Sequence, residues 1–440
     1  MPKNVEGCRR RPARKLLFIA YSFPPLQSSA SNRTWNIAKH LTALDWSVTV
    51  VTPATPVNLD QVHSVDEDAI RECGIERILT RPANPFDLPV QTNKIARFRS
   101  RCVRRILWQC GIESTFTWKR IAVAACRNLK PNDVDLILAT GPPYLSFKIA
   151  RQLSRQLDRP YVLDYRDAWT ADPLVRKAHR RTVRLEGALV QEAAKVVAVS
   201  EGTAQSLDRK FRVSQKTHVV SNGFDACQLA SVNPYRFEEF AIVYTGILFS
   251  PTRMITPVMA ALRILDGLTN HDNLRWRFHY YGPDGKLVLD DATRFGIAHR
   301  TVDHGLTSHA ETLSAVRGAN VALVINSTSE QCSPGERGVI PGKIFEAVGL
   351  GTPIMLISPP NSDVRSIIRE DCESQAFTGR ETCAMAKFLL NKMQSPASRE
   401  HRTPNDQYSW PNLAKKLNIV LCDAAWTGTH TSNRNVIASV

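Results

Sequence analysis

Four stretches of this chain have residue types and spacings suited to chemistry on an anionic ligand. The first is Val339-Ile340-Pro341-Gly342-Lys343-Ile344-Phe345-Glu346-Ala347. Pro341, Gly342 and Lys343 would open a helix and aim its free amides and an ammonium at one anion, while Glu346, three residues on, shares the face of Lys343. An acid in that place could accept two hydroxyls, as from a ribose. An ordinary surface pair is the competing reading of Lys343 and Glu346. The second stretch is Tyr244-Thr245-Gly246-Ile247-Leu248-Phe249-Ser250-Pro251-Thr252-Arg253. Gly246 would let a ligand approach the backbone, and a guanidinium one loop later suits a diphosphate. In the third, Tyr21 to Ser31, small residues and prolines precede a helix. Amides around Gln27, Ser28 and Ser29 would form an acceptor-side or phosphate loop. The fourth is Asp164-Tyr165-Arg166-Asp167-Ala168-Trp169. Its charges are costly to bury without partners, so it is either an internal Arg–Asp pair that fixes a loop or a polar wall of a cleft.

Each stretch follows a short apolar run, and those runs must position it. The runs are Leu16–Ala20, Val48–Val51, Leu136–Ala139, Tyr161–Leu163, Val196–Val199 and Val219-Val220, then Ala241–Tyr244, Trp276–Tyr281, Val321–Ile325 and Ile354–Ile357. Helical patterns separate them; in one, Ile37, Leu41 and Leu44 recur at helix spacing from about Asn32, with Ser31 as its cap. Apolar strands alternating with helices predict parallel sheets covered on both faces. In such sheets ligands lie beyond the carboxyl ends of the strands. The expected fold is α/β with two Rossmann-like doubly wound domains facing across a cleft. The expected organisation is a basic tail over 1–14, a first domain over 15–223, a linker over 224–238, a second domain over 239–405, a helix over 406–426 crossing back to the first domain, and a tail over 427–440. No G-x-G-x-x-G follows the first strand, so the dinucleotide fingerprint is absent.

Length and composition agree with two globular domains. The chain has 440 residues, 43% hydrophobic and 22% charged, which excludes a disordered or collagen-like chain. The uncharged run from Ala347 to Ser362 is broken by Pro353, Pro359 and Pro360 and cannot span a membrane. The apolar run Leu16–Ala20 is too short for a secretory signal. Ten cysteines include no C-x-x-C pair, so neither a structural zinc site nor a disulfide framework is expected. The formal net charge of +16 lies in residues 1–15, 94–120 and 176–184. Such a basic surface fits anionic lipid, nucleic acid or a phosphorylated substrate. No nucleic-acid recognition motif accompanies it. Arginines alternate with Ile, Phe and Trp over 94–120, which suits an interfacial helix at an anionic membrane. A solvated face of a packed helix is the competing reading. The expected location is cytoplasmic, free or peripheral at the inner face of the membrane.

From about residue 15 to 425 the chain resembles the family 4 (group 1) glycosyltransferases of GT-B fold. The resemblance is carried by the opening LLFIAYSFPPLQSSASNRTWNIAKHLTALDWSVTVVTP and then, in the family's order, TGPPYLS at 140–146, DYRDAW at 164–169, VSEGTAQSL at 199–207 and VSNGFD at 220–225. YTG at 244–246, YYGP at 280–283, HG at 304–305 and PGKIFEAVGLGTP at 341–353 follow. It implies a hexosyltransferase that moves a sugar from a UDP- or GDP-linked donor to an acceptor hydroxyl with retention, without metal or other cofactor, in polysaccharide or glycolipid assembly. The implied acceptor is lipid-linked or an oligosaccharide. Gly246, Arg253, Gly282, Leu306, Thr307, Gly342, Lys343 and Glu346 would hold the donor, with Arg253 and Lys343 on its diphosphate and the backbone at Leu306 and Thr307 on its base. Arg166 and Asp167 would orient the acceptor. Three departures stand out. Gly338 takes the place of the family's first Glu, with Glu336 two positions upstream; Gln27-Ser28-Ser29 replaces an opening Gly-Gly; and Arg166 replaces a frequent His. A transferase-like subunit that binds without catalysing is therefore the alternative expectation.

Overall fold

A computed structural model of the chain describes residues 13–434 except 27, 55–64, 66, 82–112, 114, 172–177, 270–273, 333–334 and 395–404. Gln27, residues 94–112 of the basic segment, Arg176, Lys177 and the first twelve residues lie outside the described residues.

The first domain holds a seven-stranded, wholly parallel sheet. Its strands are β1 (Arg14–Ile19), β2 (Trp46–Pro53), β3 (Glu76–Thr80), β4 (Leu136–Gly141), β5 (Tyr161–Tyr165), β6 (Lys195–Ala198) and β7 (Thr217–Val219). They lie in the order β3-β2-β1-β4-β5-β6-β7. The second domain holds β8 (Phe240–Thr245), β9 (Trp276–Tyr281), β10 (Thr301–Asp303), β11 (Val321–Ile325), β12 (Ile354–Ile357) and β13 (Gln375–Phe377). Their order is β10-β9-β8-β11-β12-β13, again all parallel. Each sheet therefore reverses direction once, between β1 and β4 and between β8 and β11, and opens a crevice at those carboxyl ends.

The central strands are buried on both faces: β4, β5, β11 and β12 are buried along their whole length. Those are the runs that read most clearly in the sequence. The strands that did not read, β3, β10 and β13, all lie at sheet edges and are partly exposed. With one face wet they carry Glu, Arg, Asp and Gln among their apolar residues and lose the continuous apolar signature.

Two chain crossings join the domains. Phe224 N donates to Tyr408 O (3.1 Å) and Trp410 N donates to Phe224 O (3.0 Å), so the outgoing and returning chains run side by side. A Cβ at Gly223 would stand 2.2 Å from Tyr408 O, which is why the VSNGFD turn carries glycine there. The returning helix is Trp410–Arg434, starting after a 3-10 turn at Asp406–Tyr408 and continuing past the expected end at residue 426. Trp410, Leu413, Leu417, Val420, Leu421 and Ala424 enter the first domain's core beside Leu16, Phe18, Val48 and Leu138. Trp46 Nε1 donates to Asn418 Oδ1 (2.7 Å) across that contact.

The domains also touch where the carboxyl ends of their strands face each other. Ser200 and the helix Glu201–Phe211 follow β6. Ser200 Oγ donates to Gly338 O (2.8 Å), and Gly202 N donates to Asp363 Oδ2, so an acid of the second domain caps a helix of the first. Arg337 Nε pairs with Asp363 Oδ1 (3.0 Å) and its Nη1 donates to Gln205 Oε1 (2.9 Å).

Candidate active site

The switch point of the second sheet gathers the expected donor residues. β8 ends at Thr245 and the chain turns at Gly246, whose φ of +115° favours glycine. A Cβ there would stand 2.5 Å from Lys343 Nζ. Lys343 opens the helix Lys343–Gly349 after β11 and sends its ammonium back to this turn. The ammonium donates to Thr245 O and lies over the Tyr244 ring, 4.5 Å from its centroid. Burial, and secondarily the nearby Arg253, pull Lys343 down to about 7, against the upward pull of Glu346.

Arg253 closes a short hairpin on β8: Phe249 N donates to Arg253 O (2.9 Å) and Arg253 N to Phe249 O (2.6 Å). Its guanidinium is close enough to act on both Lys343 and Tyr244. Its Nε is buried without a hydrogen bond, and among the described residues it forms no ion pair with a carboxylate. Two cations thus share one corner of the crevice. Such a corner repels itself until an anion enters it.

Gly282 borders the same corner, and Leu306 and Thr307 directly follow its backbone partner Gly305. Gly282 N donates to Gly305 O (2.8 Å), and a Cβ at Gly282 would stand 2.4 Å from both Gly246 O and the Tyr280 hydroxyl. Tyr280 donates from that hydroxyl to Gly246 O (2.9 Å), and Asp284 Oδ2 accepts from Leu248 N (2.8 Å). Gly282 therefore shapes the turn that carries Gly246. Beyond β10, Leu306 is 80% exposed, and Thr307 Oγ1 is buried without a partner. A Cβ at Gly342 would meet nothing within 4 Å, so its surroundings are open. Glu346 Oε1 lies 2.9 Å from His309 Nε2. That histidine carried no signal in the sequence, because it sits on another helix.

In the first domain the charged residues of the stretch 164–169 divide. Asp164 is not a cleft wall. It is buried in a bidentate pair with Arg33 (2.7 and 3.1 Å) and accepts from Thr140 Oγ1 (2.7 Å). Arg33 also donates to Val220 O (3.0 Å) and Ser221 O (2.8 Å), tying its helix to the exit from the domain. Arg33 was missed; a charge amid the apolar face of its helix was the available signal. Arg166 donates to Pro142 O, with Nη1 buried and unpaired, whereas Asp167 is exposed. Tyr144 donates to Asp167 O (2.9 Å), and its ring stacks on Trp169 at 4.7 Å. Arg166 and Asp167 thus stand next to each other just past the end of β5. Ser28, rather than Ser31, caps the first helix, which begins at Ser29: Ser28 Oγ accepts from Ser31 N (3.0 Å). Glu113, the acid of the basic segment, accepts from Tyr144 N (3.0 Å) and Leu145 N (2.8 Å).

Gly338, where the family pattern has an acid, packs on the first domain. A Cβ there would stand 2.7 Å from Ser200 Oγ and Thr203 N. Among the described residues no three His, Cys, Asp or Glu side chains stand together as metal ligands would, and no helix is long and apolar enough to cross a membrane.

Two doubly wound parallel sheets, with facing carboxyl ends and a returning C-terminal helix, make this a protein of the GT-B glycosyltransferase fold. Residues 29–223 match the family model described as glycosyl transferase 4-like domain. Solved structures show the same fold along nearly the whole chain. Sucrose-phosphate synthase from Thermosynechococcus elongatus is 15% identical with a TM-score of 0.57, covering 97% of this chain and 100% of that one. TarM of S. aureus is 12% identical with a TM-score of 0.59, covering 93% and 98%. Anabaena HepE, solved with UDP-glucose, is 14% identical with a TM-score of 0.52, covering 96% and 99%. No curated protein matches the chain in sequence.

Proposed function

We propose that this chain transfers a hexosyl group, with retention and without a metal, from a UDP- or GDP-sugar to an acceptor hydroxyl in polysaccharide or glycolipid assembly. The observation that carries this reading is the convergence of Arg253 and Lys343 at the switch point, with Arg253 lacking a carboxylate partner among the described residues. Of the similar structures, HepE was solved with UDP-glucose and TarM with UDP, fondaparinux and α-GlcNAc-glycerol, which supports a nucleotide-sugar donor here.

In this reading the anomeric C–O bond to the diphosphate breaks and a bond to the acceptor oxygen forms on the same face. The departing phosphate oxygen takes the acceptor's proton. Arg253, Lys343 and the amides at 341–343 stabilise the charge on the diphosphate, and each such contact is worth about 2.7–4 kcal/mol of barrier. Arg166 and Asp167 orient the acceptor, and Glu346 takes the ribose. The basic segment 94–120 meets an anionic membrane carrying a lipid-linked acceptor; salt-sensitive flotation with anionic liposomes supports this, and no flotation removes it.

The direct test incubates the protein with UDP- and GDP-hexoses and follows nucleotide release and sugar transfer to oligosaccharide and lipid-linked acceptors. Turnover that vanishes in Arg253→Ala supports the reading. Gly338 in place of the family's acid favours a second one, a binding subunit, which tight nucleotide binding without turnover would support.

A further inference from the structure

Arg253 has no side-chain anchor of its own: its Nε is buried without a hydrogen bond, and among the described residues no carboxylate pairs with it. Its place is set by the backbone. The peptide that leads into it is pinned at both ends. Its N–H donates to Phe249 O (2.6 Å), and its carbonyl, Thr252 O, accepts from Thr328 N (2.7 Å) and Thr328 Oγ1 (3.1 Å). A carbonyl oxygen has two lone pairs, and one residue supplies a donor for each. The peptide that follows is held too, since Arg253 O accepts from Phe249 N (2.9 Å). Thr328 stands just past the end of β11, the strand beside β8 at the switch point. The chain after β13 backs it: a Cβ at Gly379 would stand 2.8 Å from Thr328 O. The hairpin has little packing to fall back on. Leu248 enters the core, but Ile247 and Phe249 are 58% and 55% exposed.

We propose that Thr328 is a positioning residue for the Arg253 cation: through the Thr252 carbonyl it fixes where the guanidinium enters the corner it shares with Lys343. This rests on the reading of Arg253 as a ligand of the donor's diphosphate. A cation already in place meets that anion without reorganising, whereas one on a loose hairpin must be ordered first. Lys343 opens the helix to which the connection from β11 leads, so Thr328 ties the loop of one cation to the segment that carries the other. Thr328 touches no ligand in this reading. It acts through Arg253, and its effect should vanish when the Arg253 side chain does.

The test titrates UDP and GDP into the wild type, then whichever binds into Thr328→Val, Thr328→Ala, Thr328→Ser, Arg253→Ala and Arg253→Ala/Thr328→Val. Thr328→Val and Thr328→Ala lose the hydroxyl and keep the N–H, so each should bind about three- to tenfold more weakly, the weight of one hydrogen bond. Thr328→Ser keeps the donor and should bind within about twofold of the wild type. In the Arg253→Ala protein, adding Thr328→Val should change affinity by less than about twofold, because the group it positions is gone. Wild-type affinity in Thr328→Ala overturns the proposal, whether or not Thr328→Val folds. So does an equal loss from Thr328→Val in the Arg253→Ala background, which is what a merely structural residue would give. A wild type that binds neither nucleotide, or an Arg253→Ala protein that binds as tightly as the wild type, overturns the donor reading of Arg253 itself, and this proposal with it.

Discussion

Lys343 holds its ammonium over the ring of Tyr244, 4.5 Å from the centroid, in the space that a side chain at position 246 would fill. A buried cation is thus seated by a carbonyl, an aromatic face and a missing Cβ rather than by an acid. Burial weakens its hold on the proton and a bound anion restores its charge, so the sequence requirement moves to Gly246.

Gly246→Ala should therefore damage both fold and site. The new methyl meets the ammonium at 2.5 Å and the backbone keeps a positive φ, a cost of about 1–3 kcal/mol. Urea unfolding should show that loss, and nucleotide titration should show weaker binding in the protein that remains folded.

Arg253→Ala and Lys343→Ala should each lower kcat by about a hundred- to a thousandfold, because each removes a preorganised cation from the leaving diphosphate. Steady-state transfer assays check this. Turnover within a few-fold of the wild type would remove both residues from catalysis.

The depressed value of Lys343, about 7 against an ordinary 10.5, has two consequences. Between those values the folded state binds fewer protons than the unfolded state, so stability contributed by this group rises with pH across the window. A bound diphosphate favours the charged form, so at about pH 8 nucleotide binding should take up as much as about one proton. Calorimetry in buffers of different ionisation enthalpy measures that uptake, and Lys343→Met should abolish it.

Asp164→Ala should cost about 3–5 kcal/mol in urea unfolding, because it strands the buried Arg33 guanidinium among carbonyl oxygens at the domain exit. An unchanged midpoint would contradict the role assigned to the pair.

Gly338→Ala should loosen the domain contact, since its Cβ meets Ser200 and Thr203 at 2.7–2.8 Å. We expect a larger radius of gyration by small-angle scattering and a few-fold rise in KM, with little change in the unfolding of either domain. An unaltered radius and KM would show that the contact does not govern closure.

The alternation of apolar runs with helical patterns was legible because the central strands are buried on both faces. The edge strands β3, β10 and β13 were not, since half-wet strands carry charges that break the run. Within the site, Gly246, Lys343 and Glu346 could be found from local motifs, for a strand end or a helix start announces itself in a few residues. The pairings Arg33–Asp164, His309–Glu346 and Gly338–Ser200 join residues far apart in the chain. No local pattern encodes them. Asp164, Arg166 and Asp167 form one charged run in the sequence, yet Asp164 lies within β5, which is buried on both faces, while Asp167, past the strand end, is exposed.

Isothermal titration of UDP and GDP into the wild type and into Arg253→Ala/Lys343→Ala tests most directly whether the cation pair grips a nucleoside diphosphate. Saturable binding of one nucleotide to the wild type, weakened at least about a hundredfold in the double variant, is the predicted result. Equal affinity in the two proteins, or no binding to the wild type, would contradict it.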